Sequence, residues 1–227
     1  MKHPLQLAEF VLTAANDAQL PPPGPPEIAF AGRSNAGKSS AINALANRTR
    51  LAFTSKTPGR TQQINFFQLR SGALLADLPG YGYAAVPRDL KRHWQEFLAR
   101  YLATRQSLVG LVLVVDARHG LAELDLRLLG GYLPSGRPVV VLATKMDKLA
   151  SSAQRKAQAD IVRAIATDFP AHAVNVAVLP FSATRRIGVD AAEAAIAHWL
   201  GLGAGTDDGV QPAAAPAQKK GPRDQGE

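Results

Sequence analysis

Three runs of almost unbroken apolar residues, "LVGLVLVVDA" (108–117), "RPVVVLATK" (137–145) and "NVAVLPFSA" (175–183), constrain this chain more than any other feature. A strand with one wet face alternates apolar and polar residues, so a continuous apolar run belongs to a strand covered on both faces. Segments of helical composition at about 88–105, 122–133, 151–168 and 188–200 separate and follow these runs. Such alternation predicts an α/β fold, a doubly wound, mostly parallel sheet with helices on both sides. Two further β-like runs in "QQINFFQLRSGALLADLPG" meet at Ser71-Gly72, where glycine can take the positive φ of a tight turn. They read as a hairpin that supplies one antiparallel edge strand.

The expected organisation is a single core domain over 27–200, preceded by a segment over 1–26 and followed by a disordered tail over 201–227. Residues 4–19 have helix-compatible composition, and "PPPGPP" (21–26) forms a stiff, extended connection. The tail is rich in Gly, Pro, Ala and charge and has no apolar periodicity. With no cysteine, a disulfide framework and a thiolate metal site are excluded, and a reducing cytoplasm fits. "LQLAEFVLTAA" is interrupted by Gln6 and Glu9, a poor leader peptide, and no apolar run is long enough for a membrane span. The formal charge of +8 suits an anionic partner. A solvated basic surface explains the same number.

The chemistry begins at "GRSNAGKS" (32–39), which fits G-x-x-x-x-G-K-[ST] between the apolar run "EIAFA" and the amphipathic "AINALAN". Gly32 and Gly37 let the backbone curl until successive N–H groups face inward at a helix N-terminus, a cradle for phosphate. Lys38 would reach the β and γ phosphates, and the Ser39 hydroxyl would ligate Mg²⁺. This loop alone does not choose between ATP and GTP. "TKMD" (144–147) does, because it sits at the carboxyl end of a buried strand, where open α/β sheets bind ligands. Asp147 can accept from the N1–H and exocyclic amine of guanine, and the Lys145 stem can lie on the purine face. "DLPG" (77–80) puts Asp77 where it can hold Mg²⁺ through water, and the Gly80 amide where it can meet a γ-phosphate. "SKTPGRTQ" (55–62) suits a loop whose threonine joins Mg²⁺, with Thr57 and Thr61 both eligible. "FSA" (181–183) ends the last buried strand, where its amides could contact guanine O6.

"PEIAFAGRSNAGKSSAINAL", "SKTPGRTQQINFF", "DLPGYGYA" and "ATKMDKL" together resemble the EngB family of bacterial GTP-binding proteins, over about residues 5–200. That family sits with the TrmE, Era, EngA and septin-like GTPases, whose fold is the P-loop G domain. The resemblance implies nucleotide contacts at Gly32, Arg33, Ser34, Asn35, Ala36, Gly37, Lys38 and Ser39, and at Gly59, Arg60, Thr61, Gln62 and Gln63. It further implies contacts at Asp77, Leu78, Pro79 and Gly80, at Thr144, Lys145, Met146 and Asp147, and at Phe181, Ser182 and Ala183. Mg²⁺ would be held by Ser39 and Thr61, which selects Thr61 over Thr57, with Lys38 and Thr61 supporting catalysis. Asn35 resembles the asparagine that helps hold K⁺ in related GTPases; a turn-forming role explains it equally. Tyr81 follows Gly80 where many GTPases carry a water-orienting glutamine, so intrinsic hydrolysis should be slow.

The implied role is assembly of the large ribosomal subunit and normal cell division and septation, by a cytoplasmic monomer without a membrane partner. Arg88, Lys91, Arg92 and Arg100 of "RDLKRHWQEFLAR" offer a surface for ribosomal RNA or simply a solvated helix face. A different class of function is a GTP-licensed docking module for cell-division components, with hydrolysis incidental.

Overall fold

The computed structural model describes residues 3–52, 63–82 and 88–202, with the side chains of 88–94 outside the described set. Among the described residues, seven strands form one sheet. They are β1 (Glu9–Ala14), β2 (Glu27–Gly32), β3 (Ile64–Gln68), β4 (Leu74–Asp77), β5 (Leu108–Asp116), β6 (Val139–Thr144) and β7 (Val176–Pro180), in the order β1-β3-β4-β2-β5-β6-β7. The helices are α1 (Lys38–Leu45), α2 (Arg88–Thr104), α3 (Glu123–Tyr132), α4 (Ser151–Asp168) and α5 (Val189–Trp199).

The apolar runs of β5 and β6, like β2, are two-faced for the expected reason, whereas β7, at the edge of the sheet, is only half-buried and leaves Ala177 exposed. Ala29, Ala31, Leu111, Leu113, Val115, Val139 and Val141 pack with Phe97, Tyr101, Leu129 and Ile161, so one face of the sheet is covered by α2, α3 and α4. Their alternate neighbours Ile28, Phe30, Val112, Val114, Val140 and Leu142 pack with Ile42, Leu45, Val189 and Ile196, so α1 and α5 cover the other. Burying both faces makes each strand a bridge between two cores.

β4, β2, β5, β6 and β7 pair in parallel, and β3 runs against its neighbours. The hairpin turns where expected, with Gly72 at φ +88°. Its antiparallel strand is nevertheless one place in from the edge, because 9–14 is the strand β1 and not part of a helix over 4–19. Residue composition there favours a helix only weakly, while Phe10, Val11 and Thr13 suit a strand. The open edge of β3 decides the matter, since its unpaired N–H and C=O groups find partners in β1. A register shift between Phe10 and Leu12 bends the new edge. The Pro-rich connection then anchors to the sheet through Gly24 N–H on Ser107 Oγ and Leu74 N–H on the Pro26 carbonyl.

Chain order reverses at β2, with the hairpin on one side and β5 on the other. Register aligns the carboxyl ends: Phe30 faces Asp77, Gly32 faces Val114, Asp116 faces Thr144, and Ala143 faces Pro180. The crevice beyond that edge is where a doubly wound sheet takes its ligand. Among the described residues no helix is long and apolar enough to cross a membrane.

Candidate functional site

β2 ends at Gly32 and α1 begins at Lys38, so the curled loop between them lies over the carboxyl edge of the sheet. Two of its residues have left-handed backbone, Asn35 at φ +65° and Gly37 at φ +101°. For Gly37 this conformation would strain any other residue. Asn35 tolerates it better than most, which accounts for its backbone in turn terms.

Thr144, at the end of β6, is buried, and its hydroxyl shares a proton between the carbonyls of Ala36 (2.5 Å) and Val115 (3.1 Å). Lys145 reaches across to the Asn35 carbonyl at 2.7 Å and to Asp116 Oδ2 at 2.9 Å. The "TKMD" segment therefore holds the phosphate-type loop from behind. Its own neighbour is "FSA": the N–H of Phe181 donates to the Ala143 carbonyl, and that of Met146 to the Phe181 carbonyl. Ser182 then gives its hydroxyl to Asp147 Oδ1 at 2.6 Å. That bond holds the Asp147 carboxyl below the usual carboxylate range. The pair presents an ionised acceptor at the same edge as the curled loop.

Asp77 and Lys38 form an ion pair whose two side chains are almost wholly buried. Gly80 lies so close to the loop that a Cβ there would come within 3.2 Å of Ser34 Cα and N. A cavity of about 240 Å³ opens beside these elements, lined by Arg33–Ala36, Asp116, Arg118–Gly120, Asp125 and Lys145 among others. The structure thus brings together Gly32–Ser39, Asp77–Gly80, Thr144–Asp147 and Phe181–Ala183. Gln63 stands at the entrance to β3. Thr57, Gly59, Arg60, Thr61 and Gln62 lie outside the described residues.

Mg²⁺ can be tested on its donors. A buried carboxylate beside an ammonium group, and a serine opening the helix under the loop, are hard oxygen ligands of the kind Mg²⁺ prefers. Among the described residues no group of three His, Cys, Asp or Glu forms a protein-only metal cage. Mg²⁺ ordinarily completes its shell with phosphate and water, so the donors fit.

Sequences similar to this one decide the family. The model of a family described as "50S ribosome-binding GTPase" matches residues 27–145. A protein named "Probable GTP-binding protein EngB" from Aromatoleum aromaticum is 52% identical over 195 residues, covering 86% of this chain and 88% of that protein. The protein of the same name from Azoarcus sp. is 51% identical over 193 residues, covering 85% and 91%. The chain belongs to the EngB family of GTP-binding proteins. A crystal structure described as a probable GTP-binding protein engB superposes with a TM-score of 0.60 at 22% identity, covering 77% of this chain and 98% of that one. That likeness carries the fold, the P-loop G domain.

Two carboxylates of this EngB-family chain escaped the sequence reading. Asp116 ends β5, and burial opposes its charge; hydrogen bonds from Arg118 and Lys145 overcome that and hold it well below the carboxylate range. Its position at the end of "LVLVV" was the available signal. Because its folded value lies below the unfolded value of about 3.9, its stabilisation is complete above that pH and is lost as pH falls through the folded value. The stability gap between the wild type and Asp116→Asn, by urea denaturation, should be flat near neutrality and narrow below about pH 4. A gap unchanged at about pH 3 would contradict this role. The second carboxylate, Asp125, accepts the Tyr81 hydroxyl at 2.6 Å.

Of the basic residues on α2, Arg100 is described and pairs with Asp17 at 2.9 Å, both exposed. Arg88, Lys91 and Arg92 have side chains outside the described set.

Proposed function

We propose that this chain is a slow GTPase, hydrolysing GTP to GDP and phosphate, that binds the assembling large ribosomal subunit in its GTP form and leaves after hydrolysis. The observation that carries this reading is the assembly of a curled loop, a buried lysine–aspartate pair and the Asp147–Ser182 acceptor on one sheet edge. Its N–H groups and Lys38 would take the β and γ phosphates, Lys38 exchanging Asp77 for phosphate. Asp147 would accept two hydrogen bonds from guanine, with Ser182 orienting it and the Lys145 stem along the ring. Mg²⁺, held by Ser39 and Thr61 directly and by Asp77 through water, would supply charge neutralisation between the phosphates. Asn35 is the proposed K⁺ ligand, and replacing Na⁺ by K⁺ should then speed turnover; equal rates return it to its turn role.

The description of the matching family, "50S ribosome-binding GTPase", supports the ribosomal partner, as does the basic charge. The working form in this reading is a cytoplasmic monomer that also serves normal division and septation. Cell extract separated on a sucrose gradient tests it. The chain should co-migrate with large-subunit particles when a non-hydrolysable GTP analogue is present and not with GDP; migration at the top of the gradient in both overturns the reading.

One observation favours a second reading, a GTP-licensed docking module for cell-division components. The Tyr81 hydroxyl is engaged by Asp125, leaving position 81 without a water-orienting group. Large-subunit particles added to a turnover assay separate the two: strong stimulation supports the enzyme, none the module.

A further inference from the structure

Tyr81 joins three parts of the site. Its carbonyl accepts the Ser34 N–H at 2.9 Å, and its N–H approaches the Gly32 carbonyl at 3.4 Å, so the chain after Gly80 lies in parallel register with the curled loop. Its phenol is turned the other way and donates to Asp125 Oδ1 at 2.6 Å. Asp125 is 1% exposed, and its other oxygen accepts the Ala122 N–H at 2.8 Å, fixing the carboxylate at the start of α3. Burial and the neighbouring carboxylate push the phenol's proton affinity up, so it remains a donor. The positive charge of Arg33 acts on both groups, and its Nε lies 3.7 Å from where a Cβ of Gly82 would be. Between these anchors, Gly80 is pressed onto Ser34.

We propose that Tyr81 is a positioning residue: its phenol, clamped by Asp125, fixes Asp77–Gly80 on the curled loop so that the Gly80 amide meets a γ-phosphate, and it thereby sets the ratio of triphosphate to diphosphate affinity. The proposal rests on the GTP reading above. The glutamine position is occupied by a residue that orients backbone instead of water. Only the triphosphate has a group for Gly80 to meet, so loosening the clamp weakens GTP and spares GDP.

The test is calorimetric titration of the full chain with Mg²⁺, using GDP and a non-hydrolysable GTP analogue. Tyr81→Phe keeps the ring and removes the bond. Its affinity for the analogue should fall about tenfold, the size of one hydrogen bond's net contribution, with GDP affinity changed less than about twofold. Asp125→Ala should move the same ratio, and Tyr81→Phe/Asp125→Ala should move it no further than either alone. Equal losses for both nucleotides in Tyr81→Phe, an unchanged ratio, or additive shifts in the double variant overturn the clamp. Wild-type chain that binds no guanine nucleotide removes the GTP reading and the clamp with it, whereas wild-type binding of both with an unchanged Tyr81→Phe ratio removes the clamp alone.

Discussion

Asp147→Asn is expected to exchange guanine for xanthine. In the wild type an ionised carboxylate, oriented by Ser182 and flanked by Lys148 at 3.6 Å, stands ready to accept two N–H donors from one edge of a base. Guanine offers that pair. An asparagine accepts one N–H and donates another, which matches xanthine, with a carbonyl where guanine has its amine. A hydrogen bond to a charged group is worth about 1.5–3 kcal/mol and guanine loses one of its two, so GTP affinity should fall on the order of a hundredfold. XTP affinity should rise to approach what GTP had. Competition binding with the two triphosphates checks both halves, and unchanged GTP affinity would remove Asp147 from the base-recognition role.

Arg105→Ala should produce the largest loss of stability. Glu27, at the start of β2, is completely buried. Its carboxylate is surrounded by donors: Arg105 Nε lies 3.0 Å from both oxygens, Arg105 Nη2 pairs with Oε1, and the Tyr101 hydroxyl donates at 2.9 Å. The same Nη2 donates to the Pro21 carbonyl at 2.8 Å, so one guanidinium ties the Pro-rich connection, the end of α2 and the first core strand. Removing one partner of a buried pair leaves an uncompensated charge, at a cost of about 3–5 kcal/mol. For a chain of this size that lowers the melting temperature on the order of 10 °C. Arg105→Lys should recover only part of the loss, because a point charge does not reproduce the planar fork. Glu27 and Gly32 are at opposite ends of β2, so nucleotide affinity of the folded variant should stay at the wild-type value. Thermal denaturation and nucleotide titration on the same variant read the two expectations separately.

The legible parts of this molecule were those written locally. β5, β6 and the helices α3, α4 and α5 are long segments of one period, and their burial follows from neighbours in sequence. β1 was misread because its fate depends on β3, more than fifty residues away, whose open edge outweighs a weak helical composition. In the site, the curled loop, "DLPG", "TKMD" and "FSA" were legible because each is contiguous and ends an apolar strand, buried in β2, β4 and β6 and half-buried in β7. Their mutual fastening was not. Nothing in "TKMD" says that Thr144 will hold the Ala36 carbonyl or that Lys145 will need Asp116. Asp125 was invisible for a stronger reason: an isolated carboxylate at a helix start reads as a cap, which it is, and its bond to Tyr81 spans 44 positions.

This sheet edge is expected to recognise a guanine nucleotide and not merely a triphosphate. Displacement of labelled GDP from the full chain, with Mg²⁺ present, by unlabelled GTP and by ATP tests it most directly. GTP should displace the label at concentrations near its own affinity while ATP leaves it bound even in large excess. Equal displacement by ATP would contradict the assignment of Asp147 and the functional reading built on it.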